Sequence, residues 1–425
     1  MLENTNLWRI KHKFQSRKIQ DLPAAVAAEM AAAWPKANIQ TGQRVAITVG
    51  SRGIANLAVI VKTMCAEIKA RGALPVLIPA MGSHGGATPA GQRRILADYG
   101  LTEETSGAEI DDRMETQKIG VTPEGVEVFM AQSALDVDHI IVFNRVKPHT
   151  DFKGAVESGL CKMMAIGLGK RVGAEYYHRS IIDLGLDHAI EAAGRFVVEN
   201  CKIAFGLATV EDSYDDTAIV RHLMPQELVE EEKAILNTAR EYMASLPFDA
   251  IDVLIIDRIG KNISGTGMDT NIIGRFKNIY TKEDLPRPVI KRIYVRDLTD
   301  EAHGNACGMG RADFVSKKLY DKIDFESTYL NCLTALGLEN ARLPIVRKDD
   351  RQALSDLVSS VGLIASDKLK LVWIKDTLSL SDIIVSEAFI EECRKRDELE
   401  PVEKITPEFD AEGYVRPFWS EGEHH

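Results

Sequence analysis

Five positions carry side chains able to move protons or hold anions, and each closely follows, or lies within, a run of aliphatic residues. Arg52 lies in VGSRG, His84 in MGSHGG and His149 in VKPHTDFKG. Lys162 and His178 lie sixteen residues apart in GLCKMMAIGLGKRVGAEYYH, residues 159–178. Imidazoles titrate near neutral pH and serve as acid, base or metal ligand, whereas guanidinium and ammonium groups anchor carboxylates and phosphates. The set points to acid–base chemistry on a small anionic substrate, with one metal held by nitrogen as an option. Lys162 is anomalous, because Leu160, Met163, Met164, Ile166 and Leu168 surround it in sequence. An unpaired charge there is costly or loses its proton, so the amine either snorkels to water or meets a partner.

The elements that would position these residues alternate. RVAITVG (44–50) reads as a strand ending at glycine, and NLAVIVKTMCAEIKARG (56–72) as a helix with apolar residues at helical spacing. LPVLIPAMGSH (74–84) repeats the strand, and TPAGQRRILADYG (88–100) opens with Thr88 as N-cap and Pro89 at the first helical position. IIVFNRVKPHT (140–150) is a third strand, 157–169 a third helix and DHAIEAAGRFVVENC (187–201) a fourth; the Ala-rich segment 21–34 is helical as well. Strands alternating with helices predict a mostly parallel sheet covered on both faces, with the site at the carboxyl ends of its strands. Arg52, His84 and His149 follow three such ends in succession, which chance rarely arranges.

After a charged surface helix (225–246) the strand signal restarts at AIDVLIIDRIG (250–260). The expected fold is α/β, two domains with mostly parallel sheets and an active-site cleft between them. The first spans 1–248 and the second 249–405; 406–425 is an extended tail expected to pack back on the first. In the second half, 289–299 and 370–376 read as strands and 311–323 and 353–362 as helices. The loop IGKNISGTGMDTNIIGR follows a strand directly, and Lys261, Asn262 and Ser264 are candidate substrate contacts from across the cleft. Its glycine spacing is neither that of a P-loop nor of a dinucleotide fingerprint. His303, beside Cys307 in another glycine-rich loop, is a further candidate for lining the cleft, whereas His12, His139, His188 and His222 read as structural.

The 425 residues carry a net charge of −11, which argues against a nucleic-acid partner because that would require clustered Lys and Arg. No segment reaches the roughly 18 consecutive apolar residues needed to span a bilayer, and the N-terminus lacks the apolar core of a secretory signal. A cytoplasmic location is the expectation. Six cysteines without a CxxC pair suggest neither a disulfide framework nor a four-ligand zinc site, and His424 and His425 resemble the remnant of a purification tag.

The order of these residues resembles the lactate racemase family. The resemblance rests on Arg52 after the first strand, Gly82-Ser83-His84 after the second and Pro148-His149 after the third. Ser158-Gly159-x-x-Lys162 follows, with His178 sixteen residues beyond the lysine. It implies a nickel-pincer nucleotide (pyridinium-3,5-bisthiocarboxylic acid mononucleotide nickel) as cofactor, attached covalently to Lys162, with His178 as the protein ligand to nickel. It further implies that His84 and His149 are alternate acid and base and that Arg52 anchors substrate. Gly159 and Gly167 would line the cofactor, Gly167 and Gly169 letting the backbone pass close to its planar ring. An amine spent in an amide-like bond is neutral, which would reconcile Lys162 with its apolar surroundings. A recombinant sample can lack the cofactor, leaving Lys162 unmodified.

Two departures alter the pocket rather than the cofactor residues: the lactate-specific pattern has proline where Gly53 stands and arginine where Gly85 stands, and the segment between His149 and Lys162 is longer here. The expectation is a racemase or epimerase of a 2-hydroxy acid other than lactate, such as a larger hydroxy acid or a sugar acid, with Lys147, Lys153 and Lys261 available for extra oxygens. Its partners would be that substrate, the cofactor-making enzymes and, as an allowed assembly, a second copy in a homodimer; no membrane partner is expected. Two alternatives stay open. His84, His149 and His178 would suit a zinc-dependent hydrolase with Asp151 or Glu157 as base, and a non-catalytic small-anion binding protein would need no chemistry at all.

Overall fold

The computed structural model describes residues 6–419 except Arg52, Tyr280 and Lys282; for His178 and for residues 180–184 it describes the backbone alone. Two compact units result, one of Ser16–Met243 and the other of residues 1–15 with 244–425. The first strand, β1 (Leu7–His12), belongs to the second of these units.

The unit Ser16–Met243 is a doubly wound α/β layer. Its strands are β2 (Arg44–Val49), β3 (Leu74–Pro79), β4 (Glu109–Ile110), β7 (His139–Arg145), β8 (Ile203–Glu211) and β9 (Thr217–Leu223), in the spatial order β4-β3-β2-β7-β8-β9. All pairs are parallel except β8 with β9. A separate antiparallel hairpin joins β5 (Thr116–Val121) and β6 (Glu127–Ala131). The strands are near-continuous apolar runs because helices cover both faces, and every residue of β8 is buried. Helices α1 (Leu22–Ala37) and α2 (Leu57–Ala70) bury Val26, Met30, Ile60, Val61 and Met64 against Ile47, Leu77, Ile141 and Phe205. Each such side chain contributes about 1.5–3 kcal/mol on burial.

Helix α3 (Pro89–Asp98) starts as its sequence predicts, with the Thr88 hydroxyl accepting from Gly91 N at 3.1 Å. Short helices α4 (Glu103–Ser106) and α5 (Gln132–Leu135) follow. The helix expected over 157–169 differs: α6 covers only Leu160–Lys162, a π-helical turn spans Met163–Gly167, and Lys170 at φ +50° separates this run from α7 (Lys170–Leu184). Helices α8 (Leu186–Asn200) and α9 (Leu228–Tyr242) complete the unit.

The other unit holds an eight-stranded mixed sheet. Its strands are β10 (Ala250–Ile259), β11 (Val289–Leu298), β12 (Phe314–Ser316), β13 (Ile345–Arg347), β14 (Leu371–Ile374), β15 (Asp382–Ser386) and β16 (Leu399–Ile405), together with β1. The order is β13-β12-β11-β10-β14-β15-β1-β16, parallel up to β14 and antiparallel beyond it.

Three expectations need correction here. The N-terminal strand does not belong with 16–243, because β1 pairs on both edges with β15 and β16 and buries Leu7 and Ile10 there. The tail packs on this same unit, where Val415 N donates to Asp350 Oδ2 at 2.8 Å and the Phe418 ring meets Trp373 edge-on at 4.9 Å. Residues 311–323 are not one helix: Phe314–Ser316 form β12, and Ser316 then caps a helix over Lys317–Asp321. All three depend on partners distant in sequence.

Candidate active site

Strand order in the first unit runs outward in both directions from the β2/β7 pair, which makes the carboxyl ends of these two strands the switch point where doubly wound sheets bind ligands. The stretch 159–170 lies across that edge. Asn144 Nδ2, on β7, donates to Gly159 O at 2.8 Å; Met163 lies over Gly50, just beyond β2; Gly82 N, beyond β3, donates to Gly167 O at 3.3 Å. Lys170 Nζ then reaches back to the last carbonyl of β3, Pro79 O, at 2.7 Å. Lys162 therefore sits between the ends of β7 and β2, half-buried, on a π-distorted turn of a kind that recurs at functional sites.

His149 is presented by a loop closed through paired backbone bonds between Lys147 and Ser158. A fully buried carboxylate, Glu157, organises that loop. It accepts from His149 N at 2.5 Å, Gly154 N at 3.3 Å, Lys153 Nζ at 3.4 Å and Arg240 Nη2 at 2.7 Å. So engaged, Glu157 is an anchor and not a free general base. The His149 ring stacks at 4.3 Å on Phe152, whose other neighbour is Lys162 Nζ, 5.7 Å from the ring centre. Phe152 thus joins the histidine to the lysine. Asp151 N donates to His149 Nδ1 at 3.0 Å, which leaves Nε2 as the protonated nitrogen of the neutral ring.

His84 is tied to the neighbouring loop, its Nδ1 bonded to the Ser51 hydroxyl. A hydroxyl both donates and accepts, so this partner serves either tautomer and the protonated ring. Tyr99 OH holds Ser51 O at 2.7 Å. Farther along the edge, Arg145 pairs with Glu211, which also receives Ala55 N at 2.7 Å and so fixes the loop after β2.

The start of the Lys162 turn is capped from α9. Glu232 Oε2 accepts from Cys161 N at 2.9 Å, while burial lifts the Glu232 carboxyl to about 7. Gly159 makes this approach feasible, since a β-carbon there would lie 2.1 Å from Glu232 Oε1. At Gly167 a β-carbon would meet the Ala80 carbonyl oxygen at 2.7 Å. On the side a β-carbon would occupy, protein atoms thus fill the space beside both glycines.

Gly159→Ala is expected to cost about 1–3 kcal/mol, the usual effect of overpacking. A denaturation midpoint unchanged from wild type would show that Glu232 moves freely. Glu232 itself sets a pH dependence. Its proton is bound more tightly in the fold, so its contribution is complete below pH 4.5 and is lost as pH rises through about 7. Glu232→Gln should remove about 3 kcal/mol of that pH-dependent difference, read from urea unfolding at acidic and alkaline pH.

Among the described residues no group of three His, Cys, Asp or Glu could hold a metal ion. Arg52 and the side chain of His178 lie outside the described residues. Lys261, Asn262 and Ser264 belong to the other unit, where they bond within their own surroundings: Lys261 Nζ to Gly265 O at 2.6 Å, Asn262 Oδ1 from Thr299 Oγ1 at 2.7 Å, and Ser264 Oγ with Thr266 Oγ1 at 3.2 Å. His303 there adopts a left-handed conformation at φ +47°.

Residues 11–186 match the family model described as lactate racemase N-terminal domain. Over these residues the chain is similar to the N-terminal domain of lactate racemase. Arg52, His84, His149, Lys162 and His178 all fall within this lactate racemase-type segment. A crystal structure of a Thermotoga maritima protein is similar over 87% of this chain and 99% of its own, with 13% identity and a TM-score of 0.53. The lactate racemase apoprotein from Thermoanaerobacterium thermosaccharolyticum aligns over 88% and 99%, with 13% identity and a TM-score of 0.48. At such identity the first likeness speaks for the fold alone. No curated protein matches the chain. No helix among the described residues is long and apolar enough to cross a membrane.

Several residues that shape this candidate site had weak or no sequence signal. Lys170 repeats the anomaly of Lys162 eight residues later in the same apolar run, and it is fully buried. Desolvation brings its ammonium down to about 8, against the opposing pull of Asp111, Asp112 and Glu115. Glu232 falls on the apolar face of α9 with Val229 and Leu236, a spacing that distinguishes it from the neighbouring Glu230 and Glu231. Ser51, Gln92 and Phe152 carried no signal.

Proposed function

We propose that this chain is a racemase or epimerase of a 2-hydroxy acid other than lactate, working with a nickel-pincer nucleotide on Lys162. The observation that carries the reading is the convergence of Lys162, Phe152 and His149 at the carboxyl edge of one parallel sheet, inside the segment matched to a lactate racemase domain.

The course of the chain after Lys162 supports this cofactor assignment. In an unbroken helix, sixteen residues would separate Lys162 from His178 by about 24 Å, too far to share one small group. The positive φ of Lys170 breaks that run, as a group held by both ends requires. The half-buried Lys162 amine would hold it by covalent attachment and His178 by its imidazole. When bound, the cofactor supplies a hydride acceptor, so the substrate carbon need not be deprotonated.

The remaining steps fall to this chain's own side chains. Arg52 would anchor the substrate carboxylate. One imidazole takes the hydroxyl proton of one enantiomer and the other serves the mirror image. His84 suits the base role, because the Ser51 hydroxyl accepts Nδ1–H while Nε2 takes the proton. His149 must exchange its Asp151 contact for a second N–H before it can deliver a proton from a positive ring. Gly53, where a β-carbon would meet open space, stands in place of the proline of the lactate pattern and favours a larger acid, whereas a β-carbon at Gly85 would meet the Gly91 backbone at 2.6 Å.

The test is intact and peptide mass on protein produced with nickel and the cofactor-making enzymes. An adduct on Lys162 is expected, followed by loss of optical rotation with one member of a hydroxy-acid and sugar-acid panel. Unmodified Lys162 under conditions that load a known racemase would overturn the assignment.

A further inference from the structure

We propose that Gln92 and Lys170 are positioning residues that hold the His84 loop in one conformation through a buried, directional hydrogen-bond relay. Both are fully buried. Lys170 Nζ donates to Pro79 O at 2.7 Å and to Gln92 Oε1 at 3.3 Å. Gln92 Nε2 donates in turn to Gly82 O at 3.1 Å and His84 O at 3.3 Å.

The direction of this relay follows from chemistry. A lysine amine at Nζ faces Gln92 as a donor, so the amide must present its oxygen to Lys170 and its NH2 to the loop. Two backbone carbonyls there, of Gly82 and His84, can only accept. The reversed amide would set oxygen against both carbonyls and NH2 against an ammonium, leaving buried groups unpaired. Only one amide orientation satisfies every member. The left-handed backbone at Lys170 lets its side chain enter the core at the end of β3 instead of following the axis of α7.

The same helix braces the other half of the pair. Gln92 lies on α3 and Tyr99 caps it, and the Tyr99 hydroxyl holds the carbonyl of Ser51. Helix α3 thus grips the backbone of both His84 and Ser51, whose side chains bond each other. The ring of His84 is set through the backbone of its own loop and through its Ser51 partner. Its consequence for turnover rests on the reading of His84 as a proton carrier, whereas the positioning itself does not.

Gln92→Glu preserves shape and strengthens the pairing with Lys170, but it removes both donors to the loop. Lys170→Met removes the group that orients the amide while retaining apolar bulk, and so should fold even if Q92E does not. Each variant is compared with wild type by histidine-labelled NMR titration, with His84→Ala identifying the resonance. The expected result in either is a change of about half a pH unit or more in the His84 midpoint, or its splitting into two states, with His139 and His222 unmoved. In cofactor-loaded protein kcat should fall about tenfold or more with KM little changed. A wild-type His84 titration in a folded variant overturns the relay whatever the activity. A shifted His84 signal in protein that racemises no acid leaves the relay standing and overturns the proposed function instead.

Discussion

His84→Ala is expected to abolish net racemisation in loaded protein, by about 10²–10⁴-fold, the usual worth of a positioned acid or base. The informative feature is the asymmetry of the remainder. If His84 and His149 serve opposite enantiomers, removing one leaves the other able to accept a hydroxyl proton from its own enantiomer. Single-turnover formation of keto acid should therefore persist from one hand and vanish from the other, and His149→Ala should show the opposite preference. Equal losses from both hands would reduce His84 to a structural role. His139→Ala is the control, since His139 bonds Gln43 at the start of β7, at the opposite end of the strand from the site.

Glu157→Gln is the second large effect. The wild-type carboxylate receives two backbone N–H groups and Lys153 from its own loop and Arg240 from α9, and no solvent reaches it. An amide keeps the shape but turns an NH2 toward some of these donors and removes the charge facing Arg240. Breaking a buried pair by changing one partner costs about 3–5 kcal/mol. Arg240 is 37% exposed, so water compensates part of this, and a loss of about 2 kcal/mol is expected. Because His149 N is among the groups released, activity should fall further than stability predicts, and Glu157→Asp should recover part of it. Wild-type unfolding and activity in E157Q would show that the loop is held by Arg240 and the Lys147–Ser158 bridge alone.

In the first unit, local pattern located most elements within a few residues. RVAITV, LPVLIP and HIIVFNR each became strands of the parallel sheet, and Thr88-Pro89 opened its helix. Those signals are legible because they depend on neighbours: apolar periodicity, a capping hydroxyl, a proline fitted to the first turn. Strand-end placement of His84 and His149 came with them, since an α/β sheet places such ends on one edge. The order Arg52, His84, His149, Lys162, His178 was also present in the sequence alone.

What only the tertiary structure decided are the pairings across long separations. Glu232 lies 71 residues from the Cys161 amide it caps, and Lys170 lies 91 residues from the Pro79 carbonyl it holds. A local window shows only that each stands in apolar company; burial among distant partners makes it an anchor. The same holds for β1, whose six residues find both strand neighbours near the other end of the chain, and for Gly159 and Gly167, whose missing side chains accommodate a carboxylate and a carbonyl. Local sequence determines which elements form and where they stop, because those energies are short-ranged. Which polar group satisfies which, in a core where an unpaired one costs kilocalories, is settled only when the layers close.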